Sequence, residues 1–327
     1  MELNFDKKKV VVAGDLILDE YVEGRVRRIS PEAPVPVVEL LSEEHKPGGA
    51  ANVAVLLRYL GANVSIAGVV GNDERGDLLL ALLEKEGVDT SLVVREKDRP
   101  TTVKTRVISK AHHIVRLDRE VTSLILKETE QKVINAIQQY AGEVDAVLVE
   151  DYDKGFITPT FIKELKKLKV PIYVDPKIKN MPYYTGVRLL KPNLGEFLDA
   201  SGNRNIESDE ELYERAFEFK MAQNVEILLV TMGERGMLMI DNGSVIKIPA
   251  IKREVYDVTG AGDMVISAFT LSELSGYSPL DAAIIASIAA GIEVTRLGAT
   301  PVYPEEIKEV LAEEYHLLRE KIECLSC

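Results

Sequence analysis

Short apolar runs and longer stretches of helical spacing alternate along most of the chain. The run Lys9–Gly14 is rich in β-branched residues and ends in glycine, which is typical of a strand buried on both faces of a parallel sheet. From residue 53 the apolar positions recur at helical spacing up to Gly61, and this change from strand to helix is repeated further along. Strands are also predicted at 63–70, 90–94, 144–149, 171–175 and 225–230, and helices at 74–86, 208–222, 264–275, 279–296 and 304–319. The rhythm predicts an α/β protein with a mostly parallel sheet.

Two segments depart from this rhythm. Residues 21–41 contain three prolines, and residues 101–118 alternate with period two around a polar turn. Both patterns favour strands joined in hairpins over helices. We therefore expect a small β lid built from insertions at about 20–45 and 98–120.

The chain is acidic, with a formal net charge of −13 and a pI near 5.0. This charge opposes binding to nucleic acid or to an anionic membrane, so we expect neither as a partner. The start of the chain lacks a signal-peptide pattern and no segment has 18 consecutive apolar residues, so we expect a cytoplasmic protein. Cys324 and Cys327 are predicted to form a frayed thiol tail without a metal or redox role.

The strongest chemical signal is the stretch Asp257-Val-Thr-Gly-Ala-Gly-Asp263, which leads into the helix predicted from residue 264. A glycine-flanked turn at a helix start presents unpaired N–H groups and the positive end of the helix dipole to an anion. Asp263 stands where this cradle becomes helix, and a carboxylate there is useful if it takes a proton. These features predict phosphoryl transfer to a hydroxyl with Asp263 as the base. The predicted anion hole consists of Gly260, Ala261 and Gly262.

The alternative is an ordinary helix entry, in which Asp263 acts only on the first turn. A second glycine signature, Gly48-Gly-Ala-Ala-Asn52-Val-Ala54, stands about two hundred residues earlier and favours the first interpretation. Two such signatures in this order resemble the PfkB, ribokinase-like carbohydrate kinases, and the resemblance covers nearly the whole chain.

This resemblance implies a ribokinase-like three-layer α/β/α sandwich with a mostly parallel sheet and a small β lid. Residues 1–327 would form a single kinase domain. The implied cofactors are ATP and Mg²⁺, and many members of the family also bind a monovalent cation such as K⁺.

The resemblance assigns further residues to the nucleotide and the metals. Asn193-Leu-Gly-Glu196 resembles the family's Asn-x-x-Glu motif, which positions Mg²⁺ largely through water, although Asn193 and Glu196 could also form a helix cap. Thr231-Met-Gly233-Glu-Arg-Gly236 resembles the contact with the nucleotide phosphates. Asp257, Thr259 and the loop 297–300 resemble the monovalent-cation site.

The sugar site is expected at the carboxyl ends of the strands, where ligands bind in open α/β sheets. Asp15 and Asp19 follow the first strand in a pattern that resembles the family's motif for binding sugar hydroxyl groups. The other residues expected to hold the sugar are Gly48, Gly49, Asn52, Lys177 and an acid near 150–153, either Glu150 or Asp153.

Three basic residues, Lys104, Arg106 and Arg116, stand at even positions of the second lid segment and are predicted to share a strand face. They could clamp a substrate phosphate or form an ordinary solvated face. In the first lid segment, residues 28–38 closely resemble the bacterial heptose 7-phosphate kinases, which in many bacteria are fused to a nucleotidyltransferase domain. The resemblance implies phosphorylation of D-glycero-D-manno-heptose 7-phosphate at C1, on the route to nucleotide-activated heptose for lipopolysaccharide or another cell-surface glycan. Because the chain ends after the kinase, we expect the fused second activity to be absent.

Other interpretations remain open. A kinase of fructose, ribose or adenosine would share the catalytic residues but would need no cationic clamp. A non-catalytic sugar-binding regulator would have no need of the anion hole with Asp263. Exposed lid strands favour a homodimer formed by pairing of two lids.

Overall fold

The computed structural model describes residues 3–110, 112–140, 142–202, 204–251, 253–296 and 301–326. In chain order, the strands are β1 (Lys9–Gly14), β2 (Leu16–Ile29), β3 (Pro36–Gly49), β4 (Asn63–Gly71), β5 (Asp89–Glu96), β6 (Thr102–Ser109), β7 (His112–Arg119), β8 (Ala146–Glu150), β9 (Ile172–Asp175), β10 (Leu189–Leu190), β11 (Ile227–Thr231), β12 (Met237–Asp241), β13 (Ser244–Ile248) and β14 (Glu323–Ser326). The helices are α1 (Ala50–Tyr59), α2 (Glu74–Lys85), α3 (Lys127–Gln139), α4 (Pro159–Leu165), α5 (Leu194–Ala200), α6 (Asp209–Gln223), α7 (Ala261–Leu274), α8 (Pro279–Glu293) and α9 (Pro304–Glu320).

A ten-stranded sheet forms the centre of the molecule, in the order β14-β13-β12-β11-β10-β9-β8-β1-β4-β5. The pairs from β11 through to β5 are parallel, and β12, β13 and β14 add an antiparallel edge. Parallel strands require crossover connections, which the intervening helices supply. The mostly parallel sheet predicted from the sequence is confirmed.

Helices cover both faces of this sheet, because successive side chains of a strand point to opposite sides. Val10 and Val12 of β1 pack in a core with residues of α1, α2, α7, α8 and α9. Val11 and Ala13 of the same strand pack in a second core with residues of α3, α4, α5 and α6. The result is the predicted three-layer α/β/α sandwich.

A second sheet of four strands, in the order β3-β2-β6-β7, forms the lid. Its strands come from the two segments predicted to be insertions, although β2 begins at Leu16, directly after Asp15, and β3 continues to Gly49. The β2 and β6 strands are parallel, with Asp19 opposite Lys104, and the other two pairs are antiparallel. The lid is therefore anchored to the start of the first glycine signature and to the end of β1.

Several predicted boundaries are corrected by the structure. Helix α7 begins at Ala261 rather than 264, because the left-handed conformation of Gly260 ends the turn there.

The cysteine tail is not frayed, since Cys324 lies in β14 opposite Ile246 of β13; Cys327 lies outside the described residues. Within the described part of the chain, none of the helices combines the length and apolar character needed to cross a bilayer.

Candidate active site

The carboxyl ends of the parallel strands bring polar residues to one edge of the large sheet. Strands β8 and β9 end at Glu150 and Asp175, and Lys191 directly follows β10. Asn193 forms an isolated parallel bridge with Thr231, the last residue of β11. The predicted nucleotide residues thus lie on the same edge as the buried charges, which is the ligand-binding edge of an open α/β sheet.

Helix α7 begins at this edge with the turn predicted to be an anion hole. Its N-cap, Gly260, has φ 90° and ψ −14°, a left-handed conformation that favours glycine. The Ala261 N–H donates to the Val258 carbonyl at 3.3 Å, so the turn itself partly uses this group. A side chain at Gly262 would bring its Cβ atom 3.4 Å from the Lys191 Nζ atom. The first turn of α7 therefore faces a buried ammonium, and the glycine leaves open the space between them.

The predicted base, Asp263, lies in this first turn and is 9% exposed. The Asn52 Nδ2 atom donates a hydrogen bond of 2.7 Å to the Asp263 Oδ2 atom. Burial raises the pKa of Asp263 to about 6, against the hydrogen bond from Asn52, which favours the charged form. A carboxyl with this pKa is mostly ionised at pH 7 and can accept a proton. Asn52, which was predicted to contact the sugar, thus joins the two glycine signatures by holding the acid of the second.

Glu150, Asp175 and Asp263 form a cluster of acids at the same edge. Each offers one carboxylate oxygen, and these oxygens lie within 4.8 Å of one another. The Lys191 side chain is 3% exposed, and its Nζ atom lies 2.7 Å from the Asp175 Oδ2 atom. Burial, followed by the charges of Asp175 and Asp263, raises the pKa of Glu150 well above its usual range. Among the described residues the Glu150 Oε2 atom has no hydrogen-bond partner, so this oxygen is available to a cation or a ligand hydroxyl.

The Asn-x-x-Glu motif forms the N-terminus of α5 and adopts the capping arrangement. The Glu196 N–H donates to the Asn193 Oδ1 atom at 2.9 Å, and the Asn193 N–H donates to the Glu196 Oε2 atom at 3.0 Å. The remaining Glu196 oxygen, Oε1, lies 2.5 Å from the Lys177 Nζ atom. Because these contacts engage the side-chain oxygens, they favour contact with Mg²⁺ through water, which this ion retains readily.

The predicted nucleotide loop follows β11. Residues 233–235 form a short 3-10 helix, and Gly233 and Gly236 have φ angles of 60° and 85°. A Cβ atom at Gly236 would stand 2.1 Å from the Ile248 carbonyl oxygen, whereas one at Gly233 would meet nothing within 4 Å. Glycine at 236 is therefore required by the turn into β12, while Gly233 borders open space beyond Thr231.

Asp15, predicted to contact the sugar, holds the loop after β8. Its carboxylate accepts hydrogen bonds from the backbone N–H groups of Tyr152, Lys154 and Phe156, at 2.8, 3.1 and 3.2 Å. Burial raises the pKa of Asp15 to about 6 despite these bonds. Both carboxylate oxygens accept backbone hydrogen bonds. Asp15 therefore positions the loop after β8, and neither oxygen is left free of a protein contact to bind a sugar hydroxyl.

The two acids expected near 150–153 have different surroundings. Asp153 has φ 53° and lies 2.7 Å from the Lys179 Nζ atom at the surface. Glu150 lies in the acid cluster with Asp263. The Asp153 carboxylate is half-buried and engaged by Lys179, and its sugar contact stays a prediction.

The glycines of the first signature allow close packing beside Asp19. A Cβ atom at Gly48 would stand 2.3 Å from the Asp19 Oδ2 atom. Gly49, the N-cap of α1, has φ 58°, and its Cβ atom would stand 2.7 Å from the Asp15 carbonyl oxygen. These glycines bring the Asp19 carboxylate against the backbone that leads into α1 and Asn52.

The three basic residues of the lid share a face, with Arg106 directly opposite Arg116 across β6 and β7. Two of them have acidic partners. The Arg106 Nη1 atom lies 2.6 Å from the Asp19 Oδ1 atom, and the Arg116 Nε atom lies 2.9 Å from the Asp118 Oδ1 atom. Both acids lie on the lid itself, so the lid neutralises much of its own positive charge.

Lys104 differs from these two arginines. Its Nζ atom has no acid within 4.0 Å in the part of the chain that the structure describes, and lies 5.0 Å from the centre of the Tyr152 ring. Burial is the main cause of a lowered pKa for Lys104; the charge of Asp19 opposes it, and nearby Lys154 adds to the lowering. Lys104 is therefore the lid cation best placed to gain from an incoming anion.

The turn before α7 rests on the end of α8. The N–H groups of Tyr256 and Asp257 donate to the Val294 carbonyl at 2.8 and 3.3 Å. The Thr259 N–H donates to the Asp257 Oδ1 atom at 2.9 Å. The loop 297–300, predicted to belong to the same cation site, lies outside the described residues.

Three residues of this region were missed by sequence reasoning: Lys191, Tyr152 and Glu293. Lys191 could have been noticed in the sequence, because this charged residue follows the apolar pair Leu189-Leu190 and stands two positions before Asn193, a predicted Mg²⁺ residue. The ammonium groups of Lys104 and Lys177 lie 5.0 and 5.3 Å from the centre of the Tyr152 ring, so this ring contacts a cation of the lid and one of the large-sheet edge.

Glu293 is an acid at the end of an apolar helix, and this is the signal that could have drawn attention to it. It is 1% exposed, and neither carboxylate oxygen has a hydrogen-bond partner among the described residues. Burial, followed by the charges of Asp263 and Asp257, raises the pKa of Glu293 to about 8.

A helix N-terminus with a buried acid, facing a buried lysine at the ligand edge of an α/β/α sandwich, is an arrangement suited to phosphoryl transfer to a small molecule. The sequence profile of the pfkB family carbohydrate kinases matches residues 7–306, and the chain belongs to this family. Kinases of this family use ATP and a divalent metal.

At the sequence level the chain is similar to proteins named bifunctional protein HldE. It is 42% identical over 304 residues to the protein of Citrifermentans bemidjiense, an alignment that covers 91% of this chain and 62% of that protein. It is also 42% identical over 315 residues to the protein of Shewanella piezotolerans, covering 95% of this chain and 65% of that protein. The chain thus spans less than two thirds of the length of these relatives.

Solved structures confirm the ribokinase-like fold. Ribokinase from Thermotoga maritima aligns with a TM-score of 0.73 and 24% identity, over 93% of this chain and 99% of that chain. Phosphofructokinase-2 from Escherichia coli, in a crystal structure with potassium, aligns with a TM-score of 0.79 and 17% identity, over 94% and 98%.

Proposed function

We propose that the chain transfers the γ-phosphoryl group of ATP to a sugar hydroxyl, with Asp263 as the general base. The observation that carries the proposal is the buried Asp263 carboxylate, fixed by Asn52 in the first turn of α7. The sugar oxygen forms a bond to the γ-phosphorus, the bond from that phosphorus to the β,γ-bridging oxygen breaks, and the hydroxyl proton passes to Asp263. ADP leaves with the electron pair of the broken bond. The N–H groups at 260–263 stabilise the charge on the transferring group.

Lys191 supplies a second positive group to this step. Its Nζ atom lies 2.7 Å from Asp175 and would be 3.4 Å from a Cβ atom at Gly262, so it stands between the acid cluster and the anion hole. Before ATP binds, Asp175 holds the ammonium in place. The charge of Lys191 also opposes the rise in the pKa of Asp263 and so helps to keep the base ionised.

The metal and nucleotide residues lie along the same edge. Bound Mg²⁺ would neutralise negative charge on the phosphate groups. Asn193 and Glu196 would hold it through water, because their side-chain oxygens already serve the cap of α5 and Lys177. Thr231 and Gly233 border the open side of the loop and would contact the nucleotide phosphates.

We also propose a monovalent cation such as K⁺ at the turn 256–259. The Asp257 side chain and the Thr259 backbone would contact it, and the donor set of carboxylate and carbonyl oxygens suits such an ion. A cation there would stabilise the turn that feeds the anion hole. The potassium in the phosphofructokinase-2 structure supports this proposal by analogy of fold.

The acceptor that we propose is D-glycero-D-manno-heptose 7-phosphate, phosphorylated at C1. Three observations support it: the sequence of residues 28–38, the similarity to the HldE proteins, and the Lys104 ammonium, which has no acid within 4.0 Å among the described residues. Lys104 would bind the 7-phosphate while Asp19 and Glu150 hold sugar hydroxyls. The product would enter the synthesis of nucleotide-activated heptose in the cytoplasm, where ATP is available.

A kinase of a neutral sugar is the second candidate. The pairing of Arg106 with Asp19 and of Arg116 with Asp118 favours it, because paired arginines offer less charge to a phosphate. The two candidates share every catalytic step and differ only in what Lys104 contacts.

We propose that residues 1–327 act as a single kinase domain and that two copies pair through their lids. The lid face opposite Arg106 carries Val107, Val115 and Leu117, and Leu117 is 57% exposed. Burial of this apolar face against a second copy would remove it from water. Sedimentation of the wild type and of Leu117→Asp tests the assembly, and a monomeric wild type would contradict it.

The experiment for the proposed function measures ADP release from ATP and Mg²⁺ with heptose 7-phosphate, sedoheptulose 7-phosphate, fructose 6-phosphate, fructose, ribose and adenosine. We expect heptose 7-phosphate to give the highest kcat/KM and a product with phosphate at C1. A neutral sugar as the best substrate would remove the heptose assignment and leave the catalytic one. No ADP release with any acceptor, from a folded protein that binds ATP, would contradict the proposed activity itself.

A further inference from the structure

Glu293, the last residue of α8, is placed where a carboxylate requires a positive partner. It is 1% exposed, and both of its carboxylate oxygens are buried without a hydrogen-bond donor within the described ranges. Burial of a charged group without a donor or counter-ion is strongly unfavourable. A buried carboxyl in such a place either takes a proton and becomes neutral, as its raised pKa indicates, or binds a cation from outside the chain.

The surroundings of Glu293 are negative. Asp263 and Asp257 are the acids whose charges act on it most strongly, and Arg296 is the cation that opposes them. The Arg296 guanidinium is already engaged, since it donates to the Pro301 carbonyl and pairs with Glu306. No described side chain thus neutralises Glu293 directly.

Backbone groups add further negative potential at the same place. Glu293 stands at the C-terminus of a 15-residue helix, where the negative end of the helix dipole favours a cation. The turn 256–259 is bound to this helix end through the Val294 carbonyl, which accepts the N–H groups of Tyr256 and Asp257. The residue that follows Glu293 thus binds the turn, and the charge of Asp257 in that turn acts on the Glu293 carboxyl.

We infer that Glu293 supplies a charged oxygen to a monovalent cation bound between the end of α8 and the turn 256–259. The inference rests on the cation proposed above and adds a residue that neither glycine signature contains. A monovalent ion fits better than Mg²⁺, because Mg²⁺ keeps several waters and demands near-octahedral geometry, for which a carboxylate with 1% exposure leaves no room.

The cation would act on the anion hole through position rather than contact. The turn 256–259 leads directly into Gly260 and the first turn of α7, so fixing it to α8 fixes the N–H groups that face the phosphate. Glu293 is accordingly a positioning residue, and its effect should be visible without substrates.

Equilibrium dialysis of the full chain with ⁸⁶Rb⁺, without ATP or sugar, tests the inference. We expect one Rb⁺ per wild-type chain and a loss of affinity of at least about tenfold in Glu293→Gln, since one formal charge at contact distance is removed. The matched control is Glu254→Gln, the same substitution at an exposed position of the segment that precedes the turn, which should bind Rb⁺ like the wild type.

Thermal unfolding provides a second test, which applies even if Glu293→Gln differs from the wild type in stability. KCl, compared with choline chloride, should raise the Tm of the wild type by about 2 °C or more and leave that of Glu293→Gln unchanged. Without K⁺, Glu293→Gln should melt no lower than the wild type, because an amide replaces an unpartnered buried carboxyl.

Three results would overturn the inference: no Rb⁺ bound by the wild type, equal affinity in Glu293→Gln, or displacement of Rb⁺ by an equimolar divalent ion such as Mn²⁺. Equal affinity would leave the cation in place and remove Glu293 alone. None of these results bears on ADP release, so failure of the cation site and failure of the kinase activity are distinguishable.

Discussion

The edge of the large sheet and the face of the lid both carry ion pairs, but the two regions hold them differently. At the edge, Lys191 is 3% exposed and its partner Asp175 is 12% exposed, measured on the side chains. On the lid, Arg106 and Asp19 are each 18% exposed, and Arg116 and Asp118 are 57% and 27% exposed. Buried pairs are costly to break, whereas exposed pairs contribute little and exchange partners easily. The Lys191–Asp175 pair is thus held more firmly than the lid pairs, and we expect the edge to carry the proposed phosphoryl transfer and the lid to govern substrate choice.

The largest effect is expected from Asp263→Asn. The amide cannot take the hydroxyl proton, so kcat should fall by about 10²-fold to 10⁴-fold, while ATP binding stays nearly intact. ADP release and nucleotide titration measure the two quantities. Asp77→Asn, at an exposed pair on α2, is the matched control and should keep its turnover.

The thermal stability of Asp263→Asn gives an independent test of the raised pKa of Asp263. The pKa of Asp263 is raised from 3.8 to about 6, so ionisation above pH 6 destabilises the fold by about 3 kcal/mol relative to the unfolded chain. Asp263→Asn should therefore melt higher than the wild type at pH 8 and not at pH 4. A lower Tm at pH 8 would show that the carboxylate is stabilising, contrary to this account.

The next effect is expected from Lys191→Met, which should lower kcat by about 10²-fold as a positive group facing the phosphate is lost. It should also lower the free energy of unfolding by about 3 kcal/mol, because Asp175 is left buried and unpaired. Denaturant unfolding measures the second quantity. Adding Asp175→Asn should restore most of the stability and none of the turnover; recovery of both would reduce Lys191 to a structural role.

A smaller effect is expected on the lid. Lys104→Ala should raise the KM for heptose 7-phosphate about tenfold with little change in kcat, and should leave the KM for the unphosphorylated sugar unchanged. Steady-state kinetics with both sugars check this. Arg27→Ala, at an exposed lid pair with Glu39, serves as the control. An equal rise for both sugars would remove the phosphate contact from Lys104.

Much of the fold was predictable from the sequence, because the spacing of apolar residues indicates which face of each element is buried. The β-branched runs lie in parallel strands, and the period-two segments lie in the lid sheet. The turn at 257–263 was also predictable, since glycine at 260 meets a left-handed backbone. Local chemistry and local conformation agree at these positions.

The partners of the site residues were not predictable, because they depend on how distant elements pack. Asn52 and Asp263 are 211 positions apart and meet only because α1 and α7 share one core. Asp15 bonds a loop that lies 137 to 141 positions away. Lys191 and Glu293 are single charged residues in apolar stretches of the sequence. The hydrophobic periodicity predicts that such positions are buried, but it does not show which buried charges belong to a site.

The pH dependence of kcat/KM tests most directly the claim that Asp263 takes the proton. The ionised carboxylate is the active form, so log kcat/KM should fall with unit slope below a break near pH 6 and should be level above it until another group titrates. Lys191→Met should move this break to higher pH, because its charge lowers the pKa of Asp263 in the wild type. A profile without a break between pH 5 and 7, or the same break in the residual activity of Asp263→Asn, would contradict the account.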